Sequence, residues 1–141
     1  MMYSLLMQVV NEVIPNPSVA AEFFSGADDG PFVMVNLLRF RPMAEYADGT
    51  DSHLTGREAY DRYGVGVRAL IEELGGRVVY TGAVTGLLLG EVEDLWDAVG
   101  LVEYPSLEAF QRMVLSPDMR AIEHHRAAGL AGQLNIRTRQ R

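Results

Sequence analysis

The run Glu123-His124-His125-Arg126 sets an imidazole, able to move a proton near neutral pH, beside a guanidinium able to hold a carboxylate or an enolate. It sits between Ser116-Pro117, which reads as a helix start, and Gly129, which reads as its end. With Met119 as origin and about 100° per residue, Ile122 falls at about 300° and Leu130 at about 20°, so the apolar stripe centres at roughly 340°. Arg126 falls on that centre. A guanidinium aimed at a core is costly unless it meets a partner. Three partners fit: a carboxylate from Asp97 or Glu103, water reached by snorkelling past the helix end, or the anionic group of a substrate. His125 lies about 100° from the stripe centre, at the edge of the buried face, and suits either general acid–base work or a helix-end charge favoured by the macrodipole. His124 points to solvent. Neighbouring positions diverge on a helix, and no HxxxH, HExxH or acidic cluster at ligand spacing occurs, so no metal site is expected.

Other residues suited to a site lie on predicted inward faces. Asn36 sits in the middle of the apolar run Phe32–Phe40, where a buried amide must find partners, such as a tyrosine hydroxyl or a ligand. Tyr60 and Tyr63 share one face of a helix, and Trp96 and Tyr104 share one face of a strand. Aromatic residues at these spacings usually build core, but Ala98 and Gly100 leave room beside Asn36. A pocket bounded by Asn36, Tyr60, Tyr63, Trp96, Tyr104, His125 and Arg126 is the expectation, with His125 and Arg126 as its catalytic pair.

The elements that must position these residues follow from periodicity and caps. Leu5, Leu6, Val9, Val10 and Val13 recur at helical spacing behind Ser4 and predict a short helix ended by Pro15. Asn16-Pro17 predicts a second, over 18–25, burying Phe23 or Phe24. Phe32–Phe40 reads as a central strand covered on both sides, and 42–55 as a polar connection containing Tyr46 and His53. Thr55 and Glu58 fit a capping box opening a helix to Leu74, stopped by Gly75-Gly76. Arg77–Val84 with Leu87–Leu89 predicts a strand broken near Gly82 or Gly86, and Trp96–Tyr104 a second two-faced strand ended by Pro105. Ser106 and Ser116 cap consecutive helices, and Leu134–Thr138 is the last strand.

The order from Phe32 is β-α-β-β-α-β, an α+β fold of the ferredoxin-like plait, with 1–30 as a helical extension and 31–141 as the plait. Helices cover one face of such a sheet, yet both faces of the two central strands are apolar. The second face therefore predicts a homodimer that closes into a barrel, against the alternative that the N-terminal helices cover it. If those strands run parallel, Arg39 falls beside Glu103 as a structural ion pair.

Composition removes much chemistry. All twelve basic residues are arginine and there is no lysine, which excludes Schiff-base and phosphate-loop lysines. With no cysteine, thiolate nucleophiles and Cys-ligated metals are excluded as well. A net charge of −7 disfavours nucleic acid and anionic membranes. No apolar run approaches the roughly 20 residues of a membrane span, and no signal-peptide pattern opens the chain, so a cytoplasmic protein is expected.

The stretches GPFVMVNLLRF, GREAYDRYG, GGRVVYTG, LWDAVGLVEYPSLEAFQRMVLSPDM and EHHRAAGL, from about Gly30 to Ile136, resemble the bacterial domain-of-unknown-function family thirteen-thirty of the dimeric α/β-barrel superfamily. The resemblance implies a ferredoxin-like homodimer and brings no accepted reaction and no assigned catalytic residues. Relatives by fold include muconolactone-type isomerases, cofactor-independent monooxygenases and haem-dependent dismutases, and fold is weak evidence of function. The expectation is a protein without cofactor that binds a small organic acid or aromatic compound, with metal-independent proton transfer or isomerisation as its chemistry. A non-catalytic ligand-binding or accessory homodimer is the alternative, and a monooxygenase-like enzyme a further one.

Overall fold

The computed structural model describes residues 8–141. Its elements are α1 (Pro17–Phe24), β1 (Phe32–Phe40), α2 (Gly56–Glu73), β2 (Arg77–Ala83), β3 (Ala98–Tyr104), α3 (Leu107–Val114), α4 (Pro117–Gly129) and β4 (Leu130–Thr138). Each helix begins where the sequence offers a cap. Asn16 Oδ1 accepts from Ser18 N at 2.9 Å, and Thr55 and Glu58 close the capping box at 3.1 and 2.8 Å. Ser106 and Ser116 accept from Ala109 N and Met119 N.

The four strands form one antiparallel sheet in the order β2-β3-β1-β4, with β1 and β3 central. This is the ferredoxin-like plait, in which the β2–β3 hairpin folds back so that β3 lies antiparallel to β1. The pairing Arg39–Glu103 expected from parallel strands is therefore overturned. Val33, not Arg39, lies opposite Glu103, so Glu103 pairs with Arg77 at 2.8 Å and Arg39 reaches Asp94 and Asp97 at 3.5 and 3.8 Å.

The helices cover the face bearing Phe32, Met34, Val102 and Tyr104, which pack with Ile71, Leu107, Phe110, Met113 and Met119. Helix α1 joins the same layer, with Phe23 and Phe24 at 6.1 and 5.6 Å from Phe110. The opposite face carries two cross-sheet rows, Tyr80–Leu101–Val35–Ile136 and Gly82–Val99–Leu37–Leu134. No helix among the described residues covers it, and Tyr80 and Ile136 are 56% and 46% exposed.

Three further expectations change. The helix expected from Leu5 to Val13 begins outside the described residues, and its described part is not helical. Instead Glu12 N donates to Gln133 O at 3.2 Å at the free edge of β4, whose unpaired backbone groups attract a neighbouring segment. Strand β2 stops at Ala83, so Leu87–Leu89 lie in the following loop, and its irregularity falls between Val78 and Tyr80. Strand β4 begins at Leu130, directly from the end of α4.

Candidate functional site

Helices α2 and α4 approach closely because glycines line their seam. A Cβ on Gly129 would fall 2.8 Å from Tyr60 N, and one on Gly66 would fall 2.9 Å from Ile122 Cγ2. The seam brings Tyr60 and Tyr63 of α2 within reach of the charge of Arg126 of α4. Arg126 is half-buried, and no carboxylate among the described residues pairs with it. Its Nε and Nη2 donate to Gln133 Oε1 at 3.2 and 2.9 Å. Gln133 Nε2 donates to Asn36 Oδ1 at 2.8 Å, and Asn36 Nδ2 to the Gly100 carbonyl at 3.2 Å. Neither Asp97 nor Glu103, the acidic partners the sequence offered, takes part.

Beside this relay the sheet has room for a small added side chain at Gly100. Gly100 lies opposite Asn36, and a Cβ built on it would meet only Asn36 Cβ, at 4.0 Å. Asn36 and Gly100 stay half-exposed, while Met34, Val102 and Tyr104 on the same face are buried. Tyr60 stacks obliquely on Tyr63 and on Phe40, both at 5.5 Å, and the Tyr63 hydroxyl lies 3.9 Å from Met119 Sδ. Burial pushes the Tyr60, Tyr63 and Tyr104 hydroxyls above the ordinary phenol range, with the charge of Arg126 pulling back on Tyr60 and Tyr63. At neutral pH all three are neutral hydrogen-bonding groups. The result is a cation beside neutral hydroxyls and amides, an arrangement suited to holding one negative charge.

His125 lies elsewhere. Its Nδ1 is 2.7 Å from the Tyr46 hydroxyl, contributed by the 42–55 connection. Arg62 Nη1 donates to the same hydroxyl at 3.4 Å and to Asp51 Oδ2 at 2.8 Å. The connection is tied down by Glu45 N to Ala128 O at 3.0 Å and Arg41 N to Gly129 O at 2.8 Å, and Tyr46 packs on Ala44, Ala59 and Ala128. The His124 and His125 rings do not diverge as expected, since their centroids are 3.9 Å apart. Burial, then the charges of His124 and Arg62, lower the His125 pKa, with Asp51 opposing them. Trp96 is also apart from the tyrosines. Its indole N–H donates to Asn11 Oδ1 at 2.7 Å, in a recess shared with Arg39 and Gly132.

The family model described as Domain of unknown function (DUF1330) matches residues 50–137. The chain belongs to that family. This DUF1330 chain is 37% identical to the RPA0582 protein of unknown function from Rhodopseudomonas palustris. Two solved structures of that protein, one of it methylated, superimpose with TM-scores of 0.85 and 0.84. They cover 94% and 93% of this chain and 96% and 98% of the relative. A dimeric protein of unknown function and ferredoxin-like fold from Bacteroides fragilis shares the fold alone. It is 10% identical with a TM-score of 0.51, covering 81% of this chain and 100% of that one. No curated protein matches.

Of the residues expected to share a pocket, this DUF1330 chain joins Asn36 to Arg126 through Gln133 and brings Tyr60 and Tyr63 within reach of the Arg126 charge, with Tyr104 near the two tyrosines, whereas His125 and Trp96 make other contacts. Sequence reasoning missed Gln133 as the partner of Arg126. A strand begun at Leu130 would have placed it, with Asn135, on the face that pairs with Leu38 and Asn36 of β1. The roles of Arg62 and Asp51 carried no periodic signal, because a loop set their partnership with Tyr46.

Proposed function

We propose that this protein binds a small organic acid between the helix layer and the sheet, with Arg126 taking the carboxylate. Asn36, Tyr60, Tyr63 and Tyr104 line the neutral part of the site. The single observation that carries this reading is a half-buried guanidinium held by a neutral amide rather than a carboxylate, at the end of a relay that runs to Gly100, where an added side chain would have room. Such a charge gains most when an anionic ligand supplies the missing partner. Proton transfer or isomerisation would need a base beside that ligand. His125 engages Tyr46 instead, so the geometry favours the binding reading over the catalytic one.

The test is thermal unfolding with small carboxylates. At ten times Kd, a ligand such as benzoate adds about 1.4 kcal/mol and raises Tm by about 5 °C for a chain of this size. Benzamide, the neutral analogue, is expected to give no shift. Arg126→Gln should abolish the shift, and Gly100→Val should abolish it by filling the site while leaving the strand intact. A wild-type Tm unmoved by acetate, benzoate and 4-hydroxybenzoate sinks the proposal.

The assembly that fits is a homodimer through the open sheet face. The two apolar cross-sheet rows support it, as does the Bacteroides fragilis neighbour, described as dimeric. A contiguous apolar face of this kind marks an association surface on a protein without a membrane. No helix among the described residues is long and apolar enough to cross one.

A further inference from the structure

We infer that Gln133 and Asn36 are positioning residues that fix the charge class of the ligand, holding Arg126 without neutralising it so that the site accepts a monocarboxylate with a neutral body. The inference rests on the binding proposed above and goes beyond it by naming what selects the ligand.

The relay has only one possible sense. The Gly100 carbonyl can only accept, so Asn36 must turn its NH2 toward it, at 3.2 Å. Asn36 Oδ1 then faces Gln133, which must present its own NH2 there, at 2.8 Å. Gln133 Oε1 is left pointing at Arg126, a group that can only donate. A carbonyl at one end and a guanidinium at the other thus dictate the same orientation, and no amide can flip without leaving a buried group unpaired. Gln133 is 9% exposed, so water does not substitute for the relay.

Two consequences follow for the guanidinium. Its Nε edge is pinned, which lowers the side-chain entropy lost on binding. Both Nη1 hydrogens and the second Nη2 hydrogen have no acceptor among the described residues, and they can grip a carboxylate. The site then holds one positive charge. The groups nearest it, Tyr60, Tyr63 and the two amides, are neutral, and the charges that reach the tyrosines from farther out, Glu123 and Asp61, are negative. A second negative charge on the ligand would be desolvated with nothing to meet it.

The experiment is calorimetric titration at pH 7.5 of wild type, Gln133→Glu and Gln133→Met. Wild type should bind benzoate at least tenfold more tightly than terephthalate, the same ring with a second carboxylate. Gln133→Glu keeps an acceptor for Arg126 but supplies a charge, and Gln133→Met keeps the charge balance but breaks the relay. Charge selection predicts benzoate affinity in the order wild type, Met, Glu, with the Glu variant at least tenfold below wild type. A merely structural role predicts the reverse order for the two variants, because Glu preserves the hydrogen bonds. Equal binding of benzoate and terephthalate, or a Glu variant that binds benzoate as well as Met does, overturns the inference while leaving the proposed binding intact. Failure of wild type to bind benzoate, acetate or 4-hydroxybenzoate overturns both. Should the Glu variant not fold, the wild-type ratio decides alone.

Discussion

His125 and Arg126 are consecutive in sequence, and one step of about 100° along the helix gives them unrelated tasks. Arg126 turns to the sheet and meets an amide. His125 turns to the 42–55 connection and shares a hydrogen bond with the Tyr46 hydroxyl. Because burial and the charges of His124 and Arg62 hold its pKa below the ordinary 6.5, the unfolded chain takes up the proton first as pH falls. Stability is therefore fully present above about 6.5 and declines as pH drops through the folded value. The carboxylates of Asp29, Asp48, Asp51 and Glu58 are also depressed, so their contributions are lost only at lower pH, below the ordinary carboxylate range. Tm should then fall between pH 7.5 and 5.5, and His125→Asn, which retains a hydrogen-bonding group for Tyr46, should flatten that fall. Parallel Tm profiles for the two proteins would show that His125 is not the titrating group.

Elements whose signals are local were legible, and those set by distant contacts were not. Caps at Asn16, Thr55, Ser106 and Ser116 depend on residues two or three positions away, and all four helix starts lie where the sequence put them. The antiparallel run of β1 and β3 depends on the β2–β3 hairpin turning β3 back, which periodicity does not report, and the Arg39–Glu103 pairing failed with it. The helical spacing of Val9, Val10 and Val13 lost to the free edge of β4. For the site, a helical wheel placed Arg126 on the inward face, but its partner Gln133 lay in the strand that follows directly, whose expected start, Leu134, fell four residues after the observed one, Leu130. The α2–α4 seam makes a sharper demand. A Cβ on Gly129 meets backbone at 2.5 and 2.8 Å, whereas one on Gly64, in the same helix pair, meets nothing within 4 Å. Gly129→Ala should cost about 1–3 kcal/mol by overpacking. Gly64→Ala should add about 0.5–1 kcal/mol by helix propensity. Chemical denaturation distinguishes the two, and equal effects would mean that the seam relaxes freely.

At the scale of the whole molecule, the sheet has one face committed to the helix-covered core and one that no helix among the described residues covers. The N-terminal helices were the competing cover, and α1 is spent on the Phe110 side instead. The remaining rows, centred on Val35 and Leu101, present branched aliphatic side chains with a single aromatic residue, Tyr80, of the kind that pack face to face between sheets about 10 Å apart. A stable two-fold interface needs roughly 800 Å² from each partner, and a four-stranded face supplies area on that order. Because the face repeats on the second copy, a single substitution is felt twice across the axis. Leu101→Asp places a carboxylate at the middle of the open face and none in the ligand site, since Leu101 alternates away from Gly100 and Val102. Sedimentation at micromolar concentration should show wild type at about twice the chain's 15.6 kDa and Leu101→Asp at the monomer mass. If wild type already sediments as a monomer, the open face is covered in some other way and the dimer is lost. If instead the variant is monomeric and still binds benzoate with wild-type affinity, the ligand site belongs to one copy and the sheet pairing serves only to keep an apolar face dry.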